Sequence, residues 1–405
     1  MLSLDESLAL YPRLLLPLAS ETIPLTEAVQ RVLAAPLAAA NDLPRFDQSA
    51  MDGYALRAAD IAAASESKPH KLPVQGESAA AAFVSIPVLK RATAMRIFTG
   101  ARVPDGADTV IPQERVQRDG DTLEFSAPYP VAKNIRYQGE ELRRGEQVAE
   151  SGRRITAGLL AALINSGLKE IPVHRRPRIA VLSTGDEVRP FGTTLQLGEL
   201  PDSNSPLISA QLARWSYPPP PVQHLRDREA EVMQTLDAVL NQFDIVLTTG
   251  GASVGDKDFI PGAAKQLGVE TLFWKVAQKP GKPIFFGRRG SALLLALPGN
   301  PASVLVGLLL HLRRILDCLE GLAKPGPELR QAKLAAEIRG DAQRAQILRM
   351  RLAVDASGQC WLHPLPKQDS HMLSNLGEAN ALAIVPACES ASPAGTVLSW
   401  IDLSA

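Results

Sequence analysis

The stretch Phe243-Asp-Ile-Val-Leu-Thr-Thr-Gly-Gly-Ala-Ser-Val-Gly-Asp-Lys-Asp-Phe259 holds the key to the fold. Ile245 to Thr249 are apolar or β-branched without alternation, the pattern of a strand buried on both faces of a parallel sheet. The strand breaks into Gly250-Gly251, with Ser253 shortly after. A loop of this kind at the carboxyl end of a strand lets backbone N–H groups approach an anion, because no Cβ intervenes. Asp256 and Asp258 follow at once, and carboxylates beside a phosphate suit a divalent cation held between them and the phosphate oxygens. The same residues would also serve as a plain βα turn, with glycine supplying positive φ and aspartate capping.

The flanking sequence has the matching rhythm. Ile179-Ala-Val-Leu182 is a buried-type strand ending in Ser183-Thr-Gly-Asp-Glu187, and helices are expected from Pro206 to Trp215 and from Arg228 to Gln242. After the central strand come Thr271-Leu-Phe-Trp274, a basic loop from Lys275 to Pro283, Ile284-Phe-Phe286 and Ala292–Leu297. Pro298-Gly-Asn-Pro301 then opens a helix from Ala302 to Leu319. Alternating strands and helices predict a doubly wound α/β domain over residues 176–324, with ligands at the carboxyl ends of its strands. Its acidic loops carry Asp186 and Glu187, Asp202, and Asp256 and Asp258, and its basic loop carries Lys275, Lys279 and Lys282 between Pro280 and Pro283. Such a set suits Mg²⁺-assisted chemistry on phosphate-bearing or oxyanionic substrates, a solvated charged turn being the alternative. The chain has no Walker A sequence and no G-x-G-x-x-G fingerprint. Its six histidines are dispersed, which makes them structural rather than metal ligands.

The other regions read as smaller units. Ser3 and Glu6 form a capping box for an opening helix, and a second helix is expected from Thr26 to Ala35. The loop Asp42-Leu-Pro-Arg-Phe-Asp-Gln-Ser-Ala-Met-Asp-Gly-Tyr-Ala55 is either a domain crossing or a substrate-facing loop bearing Asp52. Residues 45–133 read as an inserted small β domain, with strands at Leu72–Gly76, Ala81–Ile86, Met95–Phe98 and Thr109–Ile111. A helix from Thr156 to Ser166 ends at Gly167, so residues 1–44 and 134–175 would form one discontinuous, helical linker domain. Residues 325–405 read as a C-terminal, barrel-like β domain with a hairpin at Asp355-Ala-Ser-Gly358.

Composition narrows the function. With 405 residues and 45% hydrophobic content, about two to four domains with large cores are expected. Lys and Arg number 43, as do Asp and Glu, so no global field recruits nucleic acid or an anionic membrane. Cys318, Cys360 and Cys388 lie far apart, which argues against zinc and disulfides and fits a reducing, cytoplasmic setting. The acidic start Met1-Leu-Ser-Leu-Asp-Glu6 is unlike a signal peptide, and the apolar run Val304–Leu312 is too short to span a bilayer.

Seven motifs in order carry a resemblance. Ser49-Ala-Met-Asp-Gly-Tyr-Ala55, Thr99-Gly-Ala101, Asn134-Ile-Arg136, Ser183-Thr-Gly-Asp-Glu187, Thr249-Gly-Gly251 with Ser253-Val-Gly255, Lys279-Pro-Gly-Lys-Pro283 and Leu297-Pro-Gly-Asn-Pro301 span nearly the whole chain. The sequence resembles the molybdopterin molybdenumtransferases, or molybdenum insertases, the family that includes the E domain of gephyrin. That likeness implies a molybdopterin-binding α/β domain and insertion of molybdate into adenylylated molybdopterin, with Mg²⁺-dependent release of AMP.

It also implies site residues. Lys279, Lys282, Arg349 and Ser370 match molybdate-holding positions, and Glu187, Asp227 and Asp258 match metal or catalytic ones. Lys275, Pro298 and Pro301 match other active-site positions, with Gly250, Gly251 and Ser253 in the phosphate loop. Asp52, Thr99 and Glu141 would complete the site across a homodimer. Glu141 stands where the family usually carries Asp, one methylene further from the backbone. Two doubly charged anions about 6 Å apart repel by on the order of 10 kcal/mol at an effective dielectric near 20, so the reaction needs fixed cations and a metal. Contact with a molybdopterin adenylyltransferase or a molybdoenzyme chaperone stays open, as do the choice between molybdate and tungstate and a redundant paralogue. The α/β domain also resembles molybdopterin adenylyltransferases, and a scaffold that retained the fold without the reaction is a further alternative.

Overall fold

The computed structural model describes residues 1–80, 86–251 and 259–403. Ala81–Ser85, most of one expected strand, and Ala252–Asp258, which include Ser253, Asp256 and Asp258, lie outside the described residues, as do 404 and 405.

The central strand Ile245–Thr249 is buried along its whole length. It lies between Ile179–Thr184 and Ala292–Leu297, all parallel, in a six-stranded sheet completed by Val222–Leu225, Phe285–Arg289 and Glu270–Trp274. Only Phe285–Arg289 runs against its neighbours. Alternate residues explain the apolar run. Ile245 and Leu247 join Ile208, Leu212 and Leu308 on one face, while Val246 meets Val232, Leu236, Leu240 and Ile260 on the other. Each such side chain contributes about 1.5–3 kcal/mol on burial, and helices cover both faces, so the sheet is doubly wound.

The helix expected from Ala302 to Leu319 is continuous but not uniform. It runs as α-helix over Pro301–Val306, π-helix over Gly307–Leu312 and α-helix over Arg313–Leu319. A Cβ at Gly307 would stand 2.5 Å from Leu297 Cδ2, so glycine lets the helix press against the sheet. The basic stretch expected as a loop contains the strand Val276–Lys279, which pairs with Leu2–Ser3 on one side and with Ala345–Gln346 on the other.

The opening helix Leu4–Leu14 has the expected capping box, with Ser3 and Glu6 reciprocally bonded. It departs from the expected linker domain and buries Leu4 and Tyr11 in the α/β core against Phe273, Phe286 and Leu312. The second expected helix reduces to a 3₁₀ turn, Leu25–Glu27. Beyond it Gln30 adopts φ 66°, and Gln30, Leu33 and Ala34 donate their N–H groups to the carbonyls of Ile155, Arg153 and Pro172. Long-range pairing within the chain therefore overrides local helix propensity. Strands Ser20–Pro24 and Glu170–His174 pair, and Ile23 and Leu33 share a core with Ile155, Leu163 and Ile171. The helix Ala157–Asn165 lies on that core, capped by Thr156.

The inserted sheet has six strands, with Gly53–Leu56 between Thr109–Pro112 and Ala94–Ile97. At the other end Arg330–Leu334, Cys360–Pro364, Ala345–Val354, Ala381–Val385 and Val397–Asp402 pair in a ring, closing a five-stranded barrel around Met350, Leu362 and Trp400. The Asp355–Gly358 hairpin is present within it. No helix among the described residues is long and apolar enough to cross a membrane.

Candidate active site

Two adjoining recesses lie at the carboxyl ends of the parallel strands. The larger, about 1040 Å³, is lined by Ser183–Glu187, Asp202, Asn204, Asp227, Gly250, Gly251 and Pro301. The smaller, about 430 Å³, is lined by Lys279–Lys282 from the α/β domain and by Arg344 and Gln368–Ser370 from the barrel. Pro283, Pro298, Asn300 and His371 belong to both. The sequence-derived residues Glu187, Asp227, Gly250, Gly251, Pro298, Pro301, Lys279, Lys282 and Ser370 thus fall along one bipartite cleft, carboxylates in one half and ammonium groups in the other.

Local chemistry shapes the acidic half. Asp186 and Asp227 each accept the other's backbone N–H, at 3.2 and 3.4 Å respectively, which ties the two loops together. The carboxylate of Glu187 folds over Gly185, where a Cβ would stand 2.9 Å from it. Asp202 accepts from the backbone N–H groups of Asn204 and Ser205 and from the Ser205 hydroxyl, so it secures the start of a helix. Gly250 has φ +85°, and a Cβ there would lie 2.6 Å from Thr184 Oγ1 and 2.9 Å from its carbonyl oxygen. Its own N–H donates to Leu297 O, so Gly250 contributes space rather than a hydrogen bond to an anion. Among the described residues no three His, Cys, Asp or Glu side chains form a preformed metal cage. Glu187 and Asp227 suit Mg²⁺ nonetheless, since that ion commonly takes one or two carboxylates and completes its shell with phosphate oxygens and water.

The basic half is held between domains. The N–H of Ala302, at the start of the long helix, donates to Ser370 O, and Asn300 Nδ2 donates to Ser370 Oγ at 2.8 Å. Ser370 Oγ is thereby an acceptor for Asn300, which turns its own hydrogen toward another acceptor. Across the cleft floor Asn204 Nδ2 donates to Gly299 O at 2.8 Å. Asn204, Asn300 and His371 join the lining without belonging to the expected site set, although both asparagines fall in polar turns visible in the sequence.

Two expected residues stand elsewhere. Arg349, matched to molybdate binding, is 3% exposed, lines neither recess, and donates through Nη2 to the carbonyls of Lys367 and Asp369. It fixes the loop that presents Ser370. Lys275 has φ 70° and carries its ammonium 4.9 Å from the Trp274 ring, away from both recesses.

The N-terminal candidates form separate groups. Asp52 Oδ1 accepts from Thr99 N at 2.7 Å and Thr99 Oγ1 at 2.8 Å, and these bonds hold its exposed carboxyl below the ordinary range. Glu141 lines a recess of about 430 Å³ with Arg45, Phe46, Arg136 and Glu140. Neither group reaches the bipartite cleft of the same chain. A further cavity, of about 740 Å³ between Gln147–Arg154 and Leu322–Lys324, carries none of these groups.

Known proteins match along the whole length. Three family descriptions apply in order: MoeA N-terminal region (domain I and II) over residues 2–167, probable molybdopterin binding domain over 180–317, and MoeA C-terminal region (domain IV) over 331–403. The chain is 36% identical to a molybdopterin molybdenumtransferase of Synechococcus elongatus, covering 94% of each. It is 33% identical to one of Haemophilus influenzae, covering 95% of this chain and 94% of that one. A crystal structure of a molybdopterin biosynthesis MoeA protein from Pyrococcus horikoshii OT3 superposes with TM-score 0.82 at 28% identity, over 99% of this chain and 100% of that one.

Proposed function

Since this chain belongs to the molybdopterin molybdenumtransferase family, an enzyme family of molybdenum cofactor biosynthesis, we propose that its bipartite cleft brings adenylylated molybdopterin and molybdate together and releases AMP with Mg²⁺. The observation that carries this reading is that two adjoining recesses place carboxylates and ammonium groups along one cleft. Glu187 and Asp227 line one half, Lys279 and Lys282 the other, with Pro298 and Asn300 between them.

In this reading the phosphoanhydride lies over Gly250 and Gly251, which line the recess and whose positive φ values and lack of Cβ let the turn at the strand end close tightly on Thr184 and Ile260. Glu187 and Asp227, with Asp258, are the carboxylates that would hold Mg²⁺. That ion, when bound, would offset phosphate charge and polarise the phosphoryl group. Lys279 and Lys282 supply positive charge to the molybdate, while Ser370, oriented by Asn300, supplies a directional hydrogen bond. Arg349 acts indirectly, by fixing the Lys367–Ser370 loop. Asp52, Thr99 and Glu141 come from the second subunit of a homodimer, a reading supported by their distance from the cleft in a single chain. The domain limits 1–44 with 134–175, 45–133, 176–324 and 325–405 belong to the same proposal, with the opening helix transferred to the α/β unit. Free Cys318, Cys360 and Cys388 suit a cytoplasmic setting.

The test is to incubate the purified protein with adenylylated molybdopterin, Mg²⁺ and either molybdate or tungstate, following AMP and pterin-bound metal. Oxyanion-dependent AMP release is expected, and Lys279→Ala should raise the oxyanion half-saturation at least about tenfold, the effect of losing one charged donor. Tight binding without turnover, or adenylylation of molybdopterin from ATP instead, would overturn the assignment.

A further inference from the structure

A buried chain of hydrogen bonds ends on the oxyanion side of the cleft. Tyr11, Gln278 and His311 are each 0% exposed. Tyr11 OH lies 2.9 Å from His311 Nδ1, His311 Nε2 lies 2.9 Å from Gln278 Oε1, and Gln278 Nε2 donates to Pro280 O at 3.1 Å. The direction of every bond follows by elimination. Pro280 O can only accept, so Gln278 must present its NH₂ there and its oxygen to His311. That oxygen can only accept, so His311 carries its hydrogen on Nε2, and Nδ1 then accepts the Tyr11 hydroxyl. Burial pushes the His311 pKa down to about 3, which keeps the ring in this neutral form.

The surroundings leave the chain little freedom. The Tyr11 ring meets Phe286 edge-on at 5.0 Å and Phe273 at 5.9 Å. His311 projects from the π-helical stretch Gly307–Leu312, a form of helix often found at functional positions. A Cβ on Gly281 would lie 2.7 Å from Gln278 Nε2, so the amide fills the space beneath that glycine. The carbonyl that receives the last bond belongs to Pro280, between Lys279 and Lys282, which both line the oxyanion recess.

We propose that Tyr11, His311 and Gln278 are positioning residues for oxyanion binding: they hold the Lys279–Lys282 turn so that both ammonium groups serve the same anion. The proposal rests on the oxyanion reading of that recess. It makes a residue of the opening helix a determinant of molybdate affinity, although Tyr11 touches no substrate. A histidine that merely satisfies its own buried nitrogens would have no such effect.

The test uses full-length Tyr11→Phe and Gln278→Met, which preserve shape and remove hydrogen bonds, with Lys279→Ala as the control for the recess. Half-saturation by molybdate, half-saturation by adenylylated molybdopterin, maximal AMP release and melting temperature are measured for each. Tyr11→Phe should raise the molybdate value about three- to tenfold, the effect of losing one hydrogen bond, and Gln278→Met at least as much. The value for adenylylated molybdopterin should stay within about twofold, since its half of the cleft is not tied to this turn. If both variants melt earlier yet keep the wild-type molybdate response while Lys279→Ala loses it, the positioning role is wrong and the chain only stabilises the core. If Lys279→Ala also responds normally to molybdate, the recess reading falls and takes the proposal with it. Should Gln278→Met fail to fold, Tyr11→Phe alone decides, because it keeps the ring that packs on Phe286.

Discussion

Gly250 concentrates the demands of the cleft into one residue. At φ +85° an L side chain is strained, and its Cβ would lie 2.9 Å from a backbone oxygen that has no rotamer with which to move away. Gly250→Ala is therefore expected to destabilise the protein by about 2 kcal/mol or more and to weaken adenylylated molybdopterin binding. Gly290→Ala, also at positive φ (+58°) but with nothing within 4 Å, should cost only the conformational part, about 1 kcal/mol. Urea denaturation of the two variants measures the difference. Glycines and prolines at loop apices were legible in the sequence because their chemistry is local. Lys275 and Arg349 were not, because spacing along a chain does not say which way a side chain turns. Lys275 lies over Trp274, and Arg349 is committed to two carbonyls.

Among the elements, the helix Arg313–Leu319 shows how the pieces are clamped. Asp317 is 1% exposed, accepts from Arg154 at 2.6 Å and from Gly326 N at 2.9 Å, and also pairs with Arg313. Glu320, on the next turn, receives Arg154 as well, at 3.1 Å. Asp317→Ala would leave Arg313 without its buried carboxylate and Arg154 with Glu320 alone, and a loss of about 3–5 kcal/mol is expected in chemical denaturation. Removing the exposed Glu270 opposite Arg288 should cost under about 1 kcal/mol in the same assay. The strands and helices of the α/β region were legible because their apolar periodicity coincides with burial on both faces. Residues 26–35 were misread as helix because their partners, Arg153, Ile155 and Pro172, lie more than a hundred residues away. The π-helical stretch was equally hidden, since an unbroken apolar run does not distinguish π from α winding.

For the molecule as a whole, the separation of Asp52 and Glu141 from the cleft bears directly on assembly. In a homodimer with shared sites, Asp52→Ala and Lys279→Ala would each release little AMP when molybdate is held well below the half-saturation of Lys279→Ala, yet complement one another. Mixing equal amounts with random reassociation gives half heterodimers, each with one intact site, so about a quarter of wild-type AMP release is expected. No recovery after subunit exchange, verified by mass, would show that each site is complete within one chain. The same long-range architecture orders events during synthesis. Leu2–Ser3 pairs with Val276–Ala277, and Tyr11 meets His311, 300 positions later. At about 5–20 residues per second, the first helix waits roughly 15–60 s on the ribosome before its lasting neighbours emerge. Throughout that interval its apolar side is open to chaperones and to other nascent chains, so the earliest segment made is among the last to reach its native place.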